Sequence, residues 1–201
     1  MIPDYLQTLS QSFKPRQAID SKPLLPLWQR RDLIGMVRFI KNSLDLKKLK
    51  VTLGKVKDGG PEKAAAWIGY PNPIPMYGSS EFSEMSVTLF IRNKIIQNSS
   101  FELLVSAIAH ELCHIVLNSI GHPLKESEKA TDLTAMILGY HDFFLQGYGE
   151  GKSILKTESE NVTEYVYRIA ELVTGTRYER SEEYLSTSEV RFAHEWIRTR
   201  L

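Results

Sequence analysis

The run Leu103 to Leu117 reads LLVSAIAHELCHIVL, an apolar stretch interrupted by two histidines and a glutamate. No other segment constrains the fold as strongly. The residues before the first histidine (Val105, Ser106, Ala107, Ile108, Ala109) are small or apolar and suit a helix that packs on all sides. Ser99-Ser100 offers a cap and Glu102 an acidic first turn, while Gly121 and Pro123 supply stop signals. On such a helix His110 and His114 lie four residues apart, on one face and one turn from each other, where their imidazoles can share a metal ion. Burying two imidazoles and a carboxylate in apolar surroundings is unfavourable unless they find partners.

This spacing suits metal-assisted hydrolysis. Zn2+ with three protein ligands and one open position lowers the pKa of a water towards neutrality. Glu111, next to the first histidine, can reach that water and act as general base without ligating the ion, passing the proton to a leaving amine. A third ligand must come from elsewhere. A third histidine six residues past His114 is excluded, because Ile120 stands there. Glu128 follows at the start of the next helix, with Asp132 one turn on. Glu128 could ligate, and Asp132 could accept the N–H of a ligand histidine. His122, between a helix-ending glycine and a proline, reads as a solvated loop residue. Cys113 points off the ligand face and reads as a small buried thiol.

The remaining sequence predicts an α+β fold: a small, mostly antiparallel sheet backed by the HExxH helix and further helices. Residues 1–27, with Pro3, Pro15, Pro23 and Pro26, read as an extended N-terminal arm, and 28–201 as a single domain whose part from 162 to 201 is helical. The periodicity predicts a helix over 28–44, strands over 49–56, 64–70 and 85–91, and a helix over 125–146 that Gly147, Gly149 and Gly151 end. Two last helices are expected over 162–173 and 188–200.

Composition narrows the function classes. Net charge is +1, from 25 Lys and Arg against 24 Asp and Glu, so no nucleic-acid or acidic-membrane partner is expected. A single cysteine excludes an intramolecular disulfide and fits a reducing compartment. With no basic segment leading into an apolar one at the N-terminus, and an apolar run too short and too polar to span a bilayer, a soluble, cytoplasmic protein is expected.

HELCHIVL followed by ESEKATDLTAMILGY resembles the pattern of gluzincin-type zinc peptidases, HExxH followed by a Glu and then an Asp four residues later. The likeness is closest to minimal-gluzincin-like bacterial proteins of unassigned function. It covers roughly residues 85–195, is strong over 107–140, and extends to a C-terminal stretch around Tyr184-Leu185-Ser186 and Glu189. It implies Zn2+ held by His110, His114 and Glu128, Glu111 as base, Asp132 behind the ligands, and strand 85–91 as a cleft edge to which an extended peptide or protein substrate adds. Tyr140-His141-Asp142 departs from the pattern, where a glycine-rich bend is usual, as does Thr131 in place of an alanine. His141 and Tyr165 are candidate oxyanion or substrate donors, with Tyr167, Arg177 and Tyr178 as further options, and His194 reads as a surface residue. A catalytically silent zinc-binding regulatory module is the alternative. A DNA-associated protease of the SprT type is disfavoured, since the chain lacks a third histidine at the required offset, a cysteine-rich ribbon and a basic tract.

Overall fold

The computed structural model describes residues 1–57, 66–154 and 184–201. The expected 162–173 helix lies outside them. Nine α-helices are distinguished among the described residues: α1 (Ile2–Ser12), α2 (Leu25–Gln29), α3 (Leu33–Ser43), α4 (Ser80–Glu84), α5 (Asn93–Asn98), α6 (Phe101–Ser119), α7 (Glu128–Ala135), α8 (His141–Ile154) and α9 (Thr187–Arg198). Three strands, β1 (Lys50–Val56), β2 (Ala66–Gly69) and β3 (Ser86–Arg92), form one sheet in the order β1-β3-β2. The α+β class expected from the sequence is the class observed.

The sheet is mixed rather than mostly antiparallel. β1 runs parallel to β3, pairing Lys50 with Ser86 through Val56 with Arg92. β2 runs antiparallel to β3, pairing Ala66 with Ile91 through Gly69 with Thr88. β3 is therefore central and cannot be a cleft edge, because both of its backbone edges are used. The alternation in β3 buries Val87, Leu89 and Ile91. β2, an edge strand, packs on α6.

α6 is the core helix. Ser100 caps it by accepting from the Leu103 N–H at 3.2 Å. Its residues from Leu104 to Leu117 are buried on nearly every side, against β2, α3, α7 and α8. By length and composition α6 could cross a membrane, yet most of it is packed inside the fold, as a core helix is.

The N-terminal segment differs from an extended arm. Residues 2–12 form α1, whose Ile2, Leu6 and Leu9 are buried at helical spacing and whose helix packs on α7. Pro3 belongs to the first turn, where its missing N–H costs nothing. Residues 13–19 are the extended part. The Arg16 N–H donates to Ile137 O and the Ile19 N–H to Gly139 O, both at 2.9 Å.

That contact explains where the 125–146 helix breaks. It does not end at Gly147. After α7 the chain makes a π-turn, Met136–Tyr140, in which Gly139 has φ +107°, and then restarts as α8. A Cβ at Gly139 would stand 2.7 Å from Gln17 O, so glycine is required by both conformation and space. Gly147 is instead a point of close approach inside α8, where a Cβ would meet the backbone of Glu102 and Leu103 at 3.0–3.2 Å.

α9 is fastened at its start by a capping box. Ser186 Oγ accepts from the Glu189 N–H, and Glu189 Oε2 accepts from the Ser186 N–H at 2.7 Å. Glu189 also pairs with Lys129 of α7 at 2.8 Å. Burial raises the Glu189 pKa, but Lys129 and the Ser186 N–H outweigh it and hold the carboxyl below its usual value.

Two outcomes are expected. Gly139→Ala should destabilise the fold by about 2 kcal/mol or more, whereas Gly121→Ala, at φ +62° with open space around it, should cost about 1 kcal/mol. Urea midpoints of both variants check this, and equal losses would show that crowding by Gln17 is unimportant. A carboxyl with a depressed folded pKa contributes stability that is complete above its unfolded value and lost as pH falls through the folded one. Glu189→Gln should thus cost about 1 kcal/mol at neutral pH and flatten the acid side of the stability curve below the usual carboxyl value of 4.5.

Candidate metal centre

Three side-chain atoms converge where α6 meets the first turn of α7. His110 Nε2 lies 2.9 Å and His114 Nε2 3.4 Å from Glu128 Oε2, and the two imidazole nitrogens are 3.2 Å apart. A tetrahedral ion bound at about 2.0–2.1 Å requires ligand separations of about 3.3 Å. The triangle has that size, and its donors, two imidazoles and a carboxylate, suit a first-row divalent cation. The i, i+4 spacing on α6 supplies the two nitrogens. Ser127, which caps α7 by accepting from Ala130 N–H, sets Glu128 in the first helical turn facing them.

Each imidazole is oriented through its other nitrogen. The His110 Nδ1–H donates to Asp132 Oδ1 at 2.8 Å, with His110 8 % and Asp132 2 % exposed. Thr131 Oγ1 donates to Ser127 O at 3.1 Å and so presents a lone pair to His114 Nδ1, a long contact at 3.4 Å. Both contacts place the proton on Nδ1 and leave the Nε2 lone pair aimed into the triangle. Asp132 Oδ2 is buried with no hydrogen-bond partner among the described residues, so the neighbouring imidazole bears most of the task of compensating that charge.

The electrostatics follow from this crowding. Burial lowers the His110 pKa, but Asp132, Glu128 and Glu111 outweigh it, and the ring holds its proton well above the usual histidine value. Burial raises Glu128, yet hydrogen bonds from His110 and His114 pull it well below the usual carboxylate range. Proton and cation compete for the same lone pairs, and a divalent ion satisfies all three at once. Glu111 is not a member of the triangle. Burial pushes its carboxyl up to about 7, opposed by His110 and His114 and reinforced by Glu128 and Asp132. That value suits a general base working near neutrality.

The other residues singled out in the sequence are placed differently. His141 is buried, its Nδ1–H donating to Met136 O at 3.2 Å, and its ring faces Asp142 and His194. Among the described residues it makes no hydrogen bond, ion pair or ring contact with the triangle. Tyr165, Tyr167, Arg177 and Tyr178 lie outside the described residues. His122 is not solvated: it is buried, its ring 6.0 Å from that of Phe13, and its Nδ1 accepts from the Leu124 N–H. His194 is not a free surface residue, since it bonds Asp142 Oδ1 at 2.8 Å. Cys113 is fully buried, and burial pushes its thiol pKa up, which keeps it protonated.

Three residues at the site carried no functional reading in the sequence. Thr131 lies three residues past Glu128, a spacing that helical geometry alone would have placed beside it. Tyr184, just before α9, sets its ring 5.9 Å from that of His110. Tyr70, at the end of β2, has its hydroxyl pKa raised by burial and then by Glu126, Glu111 and Glu128. The last two are tertiary neighbours with no local signal.

No protein-family model, curated protein or solved structure matches this chain.

Purified chain should therefore bind one equivalent of Zn2+ through this triangle. Glu128→Ala should abolish tight binding at the triangle, and Asp132→Asn should weaken binding there by about 10–100-fold. Calorimetric titration checks both, and an Asp132→Asn chain with unchanged affinity would refute the orienting role of that carboxylate.

Proposed function

We propose that the chain is a zinc-dependent hydrolase of peptide or protein substrates, of the gluzincin type, in which His110, His114 and Glu128 hold the ion and Glu111 is the general base. The observation that carries this reading is the division of labour among adjacent carboxylates. Glu128 joins the histidine triangle, while Glu111, also beside the imidazoles, stays outside it. A group that only ligates wants the first environment, and a group that takes and returns a proton wants the second.

His110, His114 and Glu128 would hold Zn2+, which when bound would supply a Lewis acid for the carbonyl and for water. The protein's own residues do the rest. Asp132 and Thr131 hold the two imidazoles in the tautomer that presents Nε2. Glu111 receives the proton of the attacking water and delivers it to the leaving amine. Tyr70 and Tyr184 bring aromatic side chains to the rim of the site, where a phenolic O–H can donate to developing negative charge. β2 supports a peptidic substrate. It is an edge strand packed on α6, and among the described residues only β3 pairs with it. An extended peptide adding to that edge would lie along the HExxH helix.

Glu111→Gln should retain zinc at the triangle and lose hydrolysis by about 10²–10⁴-fold, and a chelator should abolish wild-type activity. A degenerate peptide library read by mass spectrometry is the assay. If the zinc-loaded wild type cleaves no member of the library, the peptidase reading is overturned and the metal site stands as a structural one.

A further inference from the structure

A second group of metal-ligating side chains lies away from the HExxH triangle, where the first turn of α8 faces α9. His141, Asp142 and His194 place three ligand atoms within 4.8 Å of one another. His194 Nε2 is 2.8 Å and His141 Nε2 3.9 Å from Asp142 Oδ1, and the two imidazole rings meet edge to face with centroids 5.4 Å apart. The histidines are the buried members, with side chains 2 % and 12 % exposed. Asp142 is 44 % exposed and forms the solvent side of the group.

The tautomer of His141 is the telling feature. Its Nδ1–H donates to Met136 O at 3.2 Å, within the π-turn, so the ring presents a lone pair at Nε2. At 3.9 Å from Asp142 Oδ1 that nitrogen is beyond hydrogen-bond range, and it has no other partner among the described residues. A backbone carbonyl fixing Nδ1 while Nε2 points at a second histidine and a carboxylate is the arrangement by which proteins orient metal-bound imidazoles. The His194–Asp142 hydrogen bond accounts for two of these residues. It leaves an acceptor on the third, whose side chain is 2 % exposed, near the same carboxylate.

We propose that His141, Asp142 and His194 form a second divalent-cation site, for a first-row transition ion of the Zn2+, Co2+ or Fe2+ class. Two imidazole nitrogens and one carboxylate oxygen suit those ions over Mg2+ or Ca2+, which prefer oxygen. Ligand separations of about 3 Å are needed, and the exposed Asp142 carboxylate is the member with room to turn towards His141 Nε2. With Asp142 facing solvent, further coordination positions stay open to water. The ion would tie α9 to α8. Because Tyr184 directly precedes α9 and rests against His110, the second site would also hold one wall of the first.

The test uses full-length chain stripped of metal and titrated with Zn2+, and separately with Co2+, by calorimetry and equilibrium dialysis. Five chains are compared: wild type, His194→Gln, His110→Ala/His114→Ala, and that double variant with either His194→Gln or Asp142→Asn added, each checked by circular dichroism. The proposal expects one equivalent to bind to the His110→Ala/His114→Ala chain, and expects His194→Gln to lower that affinity by more than 100-fold when added to it. Asp142→Asn, at an exposed position, guards against misfolding as the cause and should lower the affinity at least tenfold. Uptake of nothing by the His110→Ala/His114→Ala chain, or uptake indifferent to His194→Gln and Asp142→Asn, overturns the proposal and leaves a plain hydrogen-bonded pair. The first site is scored separately. If His194→Gln alone retains one equivalent while the His110→Ala/His114→Ala chain binds none, only the second site is lost. If the wild type binds a single equivalent that survives His110→Ala/His114→Ala, the second site stands and the reading of the HExxH triangle fails.

Discussion

The bond between His110 and Asp132 joins the two helices on which everything at the site depends. Both partners are buried, 2.8 Å apart, between two otherwise largely apolar helices. Neither could be there alone, because an isolated buried charge costs several kcal/mol. Together they fix the rotation of α7 about its axis relative to α6. Once that rotation is set, Glu128, one turn earlier on α7, faces the two Nε2 atoms, and Thr131 faces the second imidazole. The triangle is thus a consequence of one buried polar contact between two otherwise apolar helix faces.

The break after α7 is the second constraint. An uninterrupted helix from 128 to 154 would carry residues 141–154 straight on from α7. The extended segment 13–19 crosses there and donates to Ile137 O and Gly139 O, which occupies the space where the next turn would lie. Gly139 takes φ +107° and the chain restarts as α8 in a new direction. The redirected helix brings Gly147 onto the first turn of α6 and His141 towards α9. The departure at Tyr140-His141-Asp142 from the gluzincin-like pattern coincides with this restart.

Much of this was legible in the sequence because it rests on local periodicity. The three strands, α6 with its Ser100 cap, and the start of α9 fall within a few residues of where alternation, helical spacing and capping residues put them. The pairing of His110 with His114 needs only the pitch of a helix. The misreadings share a cause, in that each treated a punctuating residue without its partner. Pro3 looked like a helix breaker and lies in the first turn of α1, and Gly147 looked like a stop and is a packing contact within α8. The mixed sheet was illegible because a parallel and an antiparallel strand carry the same alternation when one face is buried.

Taken alone, the sequence determined which side chains could share a metal ion within one helix, and which carboxylates followed at a distance. It also determined the fold class, since the period of apolar residues is a local property that survives any arrangement of the elements. Only the tertiary structure decided which carboxylate joins the histidines and which stays outside their triangle. Position along α7 and rotation about it are set by core packing, and burial raises both carboxyls while hydrogen bonds from the histidines pull only Glu128 down. It likewise decided that β3 is interior and β2 the edge, and that His141 belongs with Asp142 and His194, because those contacts join residues distant in the chain through a turn whose direction Gln17 and Gly139 impose.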